Sequence, residues 1–263
     1  MTPGRHFSSL EDFLISTIFS VDGQVDDGSG FFFPVKGREI EATVLFADIS
    51  KFSAHTWDLS AVETLIFVNR FFSWISARAL QGGGGIVDKY IGDGIMVVFS
   101  TEFGSTDPFV EAVRTAKLMS ENDFWAYYPH MGIASGMVIV GFVGTPIKYN
   151  CSVFGAPVAR AARFAGVRST MGMSSIVVGA DEWKDGSFDA MFGPDGGTQD
   201  ASCWQIQPAR SVDLKNMGQM DIIEITKDLS NRPLQSAAET AKDDLRQLKR
   251  KQRYCPQQNR GRR

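Results

Sequence analysis

Two aspartates set the chemical question. Asp48 closes the apolar run TVLFADI and is followed at once by Ser50, Lys51, Phe52 and Ser53. Asp93 sits inside IVDKYIGDGIMVVF, two β-forming apolar runs around a tight Gly-Asp-Gly, with Lys89 three residues before the first glycine. A carboxylate at the end of a buried strand is costly unless it caps the next element or binds a cation. For the Gly-Asp-Gly the plain reading is a turn, because Asp and Gly supply the backbone angles that tight reversals need. If the strand ending at Asp48 lies beside that hairpin, both carboxylates converge on one edge of the sheet. Two oxygen donors with open coordination positions suit Mg²⁺ or Mn²⁺ bound together with phosphates. Either aspartate alone is more often structural; the pair, each in its own strand-end context, brings a metal site level with that reading.

The elements that must hold these residues follow from periodicity. Residues 39 onward give a strand EATVLFADI, a long helix near 60–80, and the hairpin around Asp93. In the helix, Val62, Leu65, Ile66, Phe72, Ile75 and Ala79 fall near one face at helical spacing, which predicts that face to be the core side. DPFVEAVRTAKLMSEN reads as a second helix, HMGIASGMVIVGFVG as two glycine-punctuated strands, and GAPVARAARFAGV as a third helix. SSIVVGADEW adds a strand and turn, and SVDLKNMGQMDIIEIT reads as a closing hairpin. Helices and hairpins interleave without a strict β-α-β alternation, so the expected class is α+β, a sheet with helices packed on one face.

Residues 1–38 read as a leader: SSLEDFLI has the form of a capping box opening a short helix, and VDGQVDDGSG is a turn-rich linker. A calcium loop is excluded there, because Asp27 stands where the glycine is required and Phe33 where the bidentate glutamate is required. Residues 39–229 are the expected folded domain. Residues 230–263 turn polar and end in a basic run, LRQLKRKQRYCPQQNRGRR, read as a solvated tail.

Composition bounds the function classes. The 263 residues are 43% hydrophobic with a formal net charge of −3, enough to bury a substantial core and without the overall charge of a nucleic-acid or membrane binder. The basic tail lacks interleaved aromatics beyond Tyr254, so nucleic-acid binding has little support. Three cysteines, Cys151, Cys203 and Cys255, form no C-x-x-C pair, which argues against a disulfide framework or zinc site and fits a cytoplasmic protein. The stretch AVETLIFVNRFFSWISARAL carries Glu63, Asn69, Arg70 and Arg78, which a membrane span rarely tolerates. No signal peptide opens the sequence, and there is no G-x-x-x-x-G-K-[ST] P-loop.

Taken in order, VLFADISKFS, KYIGDGIMVVF, GIASGMVIVGFVG, YNCSVFGAPVARAARFAG and LKNMGQMDIIEI resemble the successive blocks of the class III nucleotidyl cyclases, the adenylyl and guanylyl cyclase family, over roughly residues 40–228. The resemblance implies a ferredoxin-like βαββαβ core with extra C-terminal strands, working as a head-to-tail homodimer with two interfacial active sites. It implies that Asp48 and Asp93, with the backbone carbonyl of Ile49, hold two Mn²⁺ or Mg²⁺ ions per site. Backbone N–H groups around Lys51, Phe52 and Ser53 are then expected at the β- and γ-phosphates. Arg163 matches the arginine that stabilises charge on the α-phosphate, a task suited to a permanently charged guanidinium. Lys215 matches a phosphate-contacting lysine, Lys89 the base-reading lysine, and Ser152 the second base-reading position.

Three positions depart from the family pattern. Ala159 stands where most members carry an asparagine that orients the ribose, His130 where many carry a phosphate-binding arginine, and Ser152 can donate or accept a hydrogen bond and so fixes no base alone. With the metal aspartates and Arg163 retained, the expectation is an active enzyme with an altered nucleotide pocket. The chain of leader, core and tail resembles the stand-alone pyrimidine cyclases of bacterial Pycsar antiphage systems, which implies UTP as substrate and cyclic UMP as a messenger read by a separate effector protein. The alternatives are an adenylyl cyclase, suggested by Lys89, a cytidylate cyclase, and a cyclase-like module that binds nucleotide without turnover, suggested by Ala159 and His130.

Overall fold

The computed structural model describes residues 7–81, 83–121, 123, 125–145, 148–167, 169, 174–183, 188–192, 204–227 and 236–254. The chain runs α1 (Leu10–Ile15), β1 (Val21–Asp26), β2 (Phe32–Asp48), α2 (Phe52–Thr56), α3 (Ala61–Gln81), β3 (Ile86–Ile91), β4 (Gly94–Phe99), α4 (Pro108–Glu121), β5 (His130–Thr145), β6 (Lys148–Phe154), α5 (Ala156–Ala165), β7 (Ser174–Gly179), α6 (Asp189–Phe192), β8 (Trp204–Ile206), β9 (Arg210–Leu214), β10 (Gly218–Lys227) and α7 (Ala237–Tyr254). One sheet is ordered β3-β4-β2-β5-β7-β10-β8, with β1 added to β2, β6 to β5 and β9 to β10. Every pairing is antiparallel except β5 with β7. The run β2-α3-β3-β4-α4-β5 with strand order β3-β4-β2-β5 is the expected ferredoxin-like βαββαβ core.

Period-2 alternation divides the core between the two faces of the sheet. Leu45 and Ala47 of β2, with Ile49 just past its end, join Ile95, Val97 and Phe99 of β4 under α3 and α4. Val44 of β2 and Met96 of β4 turn the other way, against Ala161 and Phe164 of α5. Leu10, Phe13 and Leu14 of α1 cover Ile40, Ala42 and Val98. Helices therefore pack on both faces, which corrects the one-face expectation. The αβ alternation of the core fixes only where α3 and α4 go, and α1 and α5 lie outside that repeat.

Four further readings change. The linker VDGQVDDGSG supplies β1, paired with Phe32–Gly37 of β2, because the Asp26 and Asp27 carboxylates accept the loop N–H groups and close a hairpin. Strand β2 thus runs through the expected 38/39 boundary without a break. Residues 130–145 form one strand, not two. In α3 the core stripe is Phe67, Phe71, Trp74, Ile75 and Ala79, while Val62 and Leu65 are exposed. The polar segment after 236 is helix α7, seated on α3 through Ala237 and Ala241 and tied by Lys242 to Asp58 at 2.7 Å and by Arg70 to Asp244. Residues 255–263, with Cys255, and Cys203 lie outside the described residues. The expected capping box is present in a shifted form: Ser9 Oγ at the N-cap accepts from the Asp12 N–H at 3.0 Å, and Asp12 accepts from the N–H of Ser8, one residue before the cap, at 3.1 Å. Among the described residues no helix is long and apolar enough to cross a membrane.

Helix α5 owes its seat to one missing side chain. A Cβ on Gly132 would overlap the Ala161 carbonyl and the Ala165 amide, so glycine lets the helix lie directly on β5. Gly132→Ala is expected to lower folding stability by about 2–3 kcal/mol, measured by denaturant unfolding. Gly23→Ala, with open space around it, is the control and should change stability by less than about 1 kcal/mol.

Candidate active site

The two aspartates meet. Asp48 ends β2 with Gly94 as its cross-strand partner on β4 and His130 as its partner on β5. Gly92 and Asp93 form a two-residue turn between Ile91 and Gly94, with Gly92 at φ +62°. That turn brings the Asp93 carboxylate within hydrogen-bonding reach of Asp48. The Ile49 N–H donates to Asp48 Oδ1 at 3.0 Å, fixing the orientation of that carboxylate. Burial first, and the neighbouring Asp93 charge second, push the Asp48 carboxyl up to about 6.

These groups fit a divalent cation. In a like-charged, partly desolvated carboxylate pair a divalent cation would make both ionised forms favourable. Among the described residues no group of three or more His, Cys, Asp or Glu side chains could share an ion. The remaining ligands would come from backbone, water or a bound phosphate, as is usual for Mg²⁺ and Mn²⁺. Lys51, two residues beyond Ile49, is left-handed at φ 53° and ψ 39° and caps α2, so the N–H groups of Phe52 and Ser53 lie in its first turn.

The other expected residues form two separate groups. Arg163 and Lys215 line one cavity of about 430 Å³ between α5 and the β9–β10 hairpin. Neither Asp48 nor Asp93 lines it. Arg210, which the sequence reading missed, lines the same cavity and is held at 3.1 Å by the fully buried Glu224. The only sequence signal for it was a charge at the mouth of the closing hairpin. Ala159 and Arg163 are both exposed, one turn apart on α5. His130 lies beside Asp48 in the sheet and not with the Arg163 group.

Lys89 and Ser152 meet through a residue the sequence reading also missed. Asp88 accepts from Ser152 Oγ at 2.8 Å and lies 3.4 Å from Lys89 Nζ. It is the extra residue of a β-bulge: Val87 pairs with Val97 and Lys89 with Met96. An acidic residue inside the apolar run IVDKYI was the available signal. Burial pushes the Asp88 carboxyl up, while Ser152 and Lys89 oppose that shift. Asp88 and Lys89 line a groove of about 520 Å³ with Ser9, Glu11, Tyr149 and Cys151. Burial, then Asp88 and Glu11, push the Cys151 thiol up to about 11.

The Asp48 shift has a stability consequence in the metal-free protein. Between its ordinary value of 3.8 and about 6, the folded state binds more protons than the unfolded state, so stability falls as pH rises through that window. In chelator, Asp48→Asn should melt with wild type near pH 4 and above it at pH 7.5. Added Mn²⁺ at pH 7.5 should raise the wild-type melting temperature and leave the variant unmoved. Thermal denaturation at the two pH values reads both effects.

Comparison with known proteins shows the family and the fold. The family profile described as the adenylate and guanylate cyclase catalytic domain matches residues 35–181. An uncharacterized protein of Mycobacterium bovis is 28% identical over 193 residues, covering 68% of this chain and 34% of that protein. An adenylate cyclase of Anabaena cylindrica is 29% identical over 150 residues, covering 51% of this chain and 29% of its own length. The chain thus spans about a third of the length of these curated relatives. The crystal structure of the adenylyl cyclase CyaB from P. aeruginosa aligns with TM-score 0.56 at 19% identity, covering 74% of this chain and 98% of that one. The guanylate cyclase domain of RhGC from Catenaria anguillulae, in complex with GTP, aligns with TM-score 0.55 at 20% identity, covering 72% and 98%. The family match spans more than half of the chain and includes both aspartates and Arg163; the protein belongs to the adenylate and guanylate cyclase catalytic domain family.

Proposed function

We propose that this domain cyclises a ribonucleoside triphosphate to its 3′,5′-cyclic monophosphate, releasing pyrophosphate. The observation that carries the reading is the Asp48–Asp93 pair, one carboxylate at the end of β2 and the other in the β3–β4 turn beside it. In the reaction the ribose 3′-oxygen forms a bond to the α-phosphorus, the bond to the β-phosphate oxygen breaks, and the 3′-hydroxyl loses its proton. Mn²⁺ or Mg²⁺ held by Asp48, Asp93 and the Ile49 carbonyl, two ions per site, would favour that proton loss and neutralise the leaving pyrophosphate. Lys51, Phe52 and Ser53 present backbone N–H groups to the β- and γ-phosphates. Arg163 stabilises charge on the α-phosphate, with Lys215 at the phosphates and Lys89 and Ser152 at the base.

The cavity holding Arg163 and Lys215 lacks the two aspartates, which supports a site shared by two copies in a head-to-tail homodimer. We assign UTP as the substrate, on the resemblance of the altered pocket (Ala159, His130 and Ser152) to the pyrimidine cyclases. Cyclic UMP then acts in the cytoplasm as an antiphage signal read by a separate effector protein. A second reading, ATP, is favoured by the retained Lys89 and by the Anabaena relative named as an adenylate cyclase.

Incubation of the protein with Mn²⁺ and each of the four ribonucleoside triphosphates, with products identified by mass, tests the assignment. Cyclic UMP is expected; cyclic AMP alone would establish the second reading, and no cyclic product from any nucleotide would leave a binding module. Asp48→Ala and Asp93→Ala should each abolish the product. Arg163→Ala should lower kcat by about 10²-fold with little change in KM.

A further inference from the structure

The groove beside β3 shows how the base end is organised. Asp88 is 1% exposed at its side chain, Ser152 is 1% exposed, and Lys89 is 36% exposed at its side chain. Of the three side chains, only that of Lys89 is exposed to any extent. Its Nζ also lies 5.6 Å from the centroid of the Phe154 ring, which gives the cation a second restraint. Among the described residues, Glu11 and Asp88 line the groove against the one cation of Lys89. Two carboxylates repel a triphosphate, and the volume of about 520 Å³ accommodates a nucleobase.

The hydrogen-bond bookkeeping is directional. The Ser152 hydroxyl hydrogen is given to Asp88, and its oxygen is buried, so Ser152 acts through Asp88. The Lys89 ammonium has three donors and no acceptor, and it is paired with the Asp88 carboxylate at 3.4 Å. A free lysine on its flexible stem could follow either a ring carbonyl or a neighbouring ring nitrogen. Pinned in one place, it rewards a carbonyl oxygen and sets donor against donor when an exocyclic amino group occupies the same position.

We propose that Asp88 is the positioning residue that sets base selectivity: locked by Ser152, it fixes the Lys89 ammonium so that a pyrimidine carrying a 4-carbonyl is preferred to one carrying a 4-amino group. The proposal deepens the cyclase reading and rests on it.

Initial rates with UTP and with CTP, in Mn²⁺, decide it for wild type, Asp88→Asn, Ser152→Ala and the double variant. Wild type should favour UTP. Asp88→Asn should shrink the UTP:CTP ratio of kcat/KM about tenfold, through KM, with kcat changing less than about threefold. Ser152→Ala, which keeps the carboxylate, should move the ratio the same way by less, and the double variant should match Asp88→Asn. If Asp88→Asn does not fold, Ser152→Ala alone must still move the ratio through KM. A wild-type preference for CTP overturns the proposal. So does loss of selectivity in Ser152→Ala with none in Asp88→Asn, which would make Ser152 the direct reader. An equal fall in kcat for both nucleotides in Asp88→Asn reduces that residue to a fold role and also overturns it. A wild type that cyclises no nucleotide removes the cyclase reading itself, whereas wild-type turnover with an unchanged ratio in every variant removes only this inference.

Discussion

Two carboxylates held against each other at the end of paired strands are the constraint on which the rest depends. The register that pairs Asp48 with Gly94 leaves Asp93 no place but beside it. Neighbouring negative charges in a partly desolvated site oppose ionisation, and Asp48 carries that opposition in its raised pKa. The paired strands hold the two groups in this arrangement. Here Asp48 lies between β4 and β5, with buried apolar neighbours on the α3 side of the same strand. A divalent cation at this point would relieve the repulsion that the strand pairing imposes.

The remaining charges are sorted by location. The Asp48–Asp93 end is acidic, the α5 cavity gathers Arg163, Arg210 and Lys215 around Asp213, and the β3 groove sets Lys89 against Asp88 and Glu11. These suit a metal, a phosphate chain and a neutral base respectively. Helix α5, seated on Gly132, and the bulge at Asp88 are the two backbone devices that aim the second and third groups.

Much of this was legible in the residues, for identifiable reasons. The Asp48–Asp93 convergence needed only two strand-end contexts and a tight turn. The α+β class followed from well-separated helical and strand periods, whereas the ferredoxin-like core came only from the resemblance spread over several ordered blocks. What escaped was set by tertiary contact. Helix α7 reads as a solvated tail because its buried contacts are Ala237 and Ala241, too small to draw an apolar stripe. The glycines of β5 read as a break between strands, whereas Gly132 serves the approach of a helix from another part of the chain. Asp88 is hidden because a bulge changes which face a residue meets, and period-2 counting assumes that none is present. Val62 and Leu65 were placed in the core by spacing alone, while the true stripe is anchored by Phe67 and Phe71 against Tyr127.

The central claim is that the aspartates of one copy act with the arginine of another. Asp48→Ala and Arg163→Ala proteins, each nearly inactive alone, can be mixed in equal amounts under conditions that exchange subunits, and cyclic product measured. With two-fold related interfacial sites, a mixed pair carries one site intact and one doubly impaired. Random exchange makes half the pairs mixed, so the account predicts recovery to about a quarter of wild-type activity. A mixture no more active than the average of its two components would contradict it.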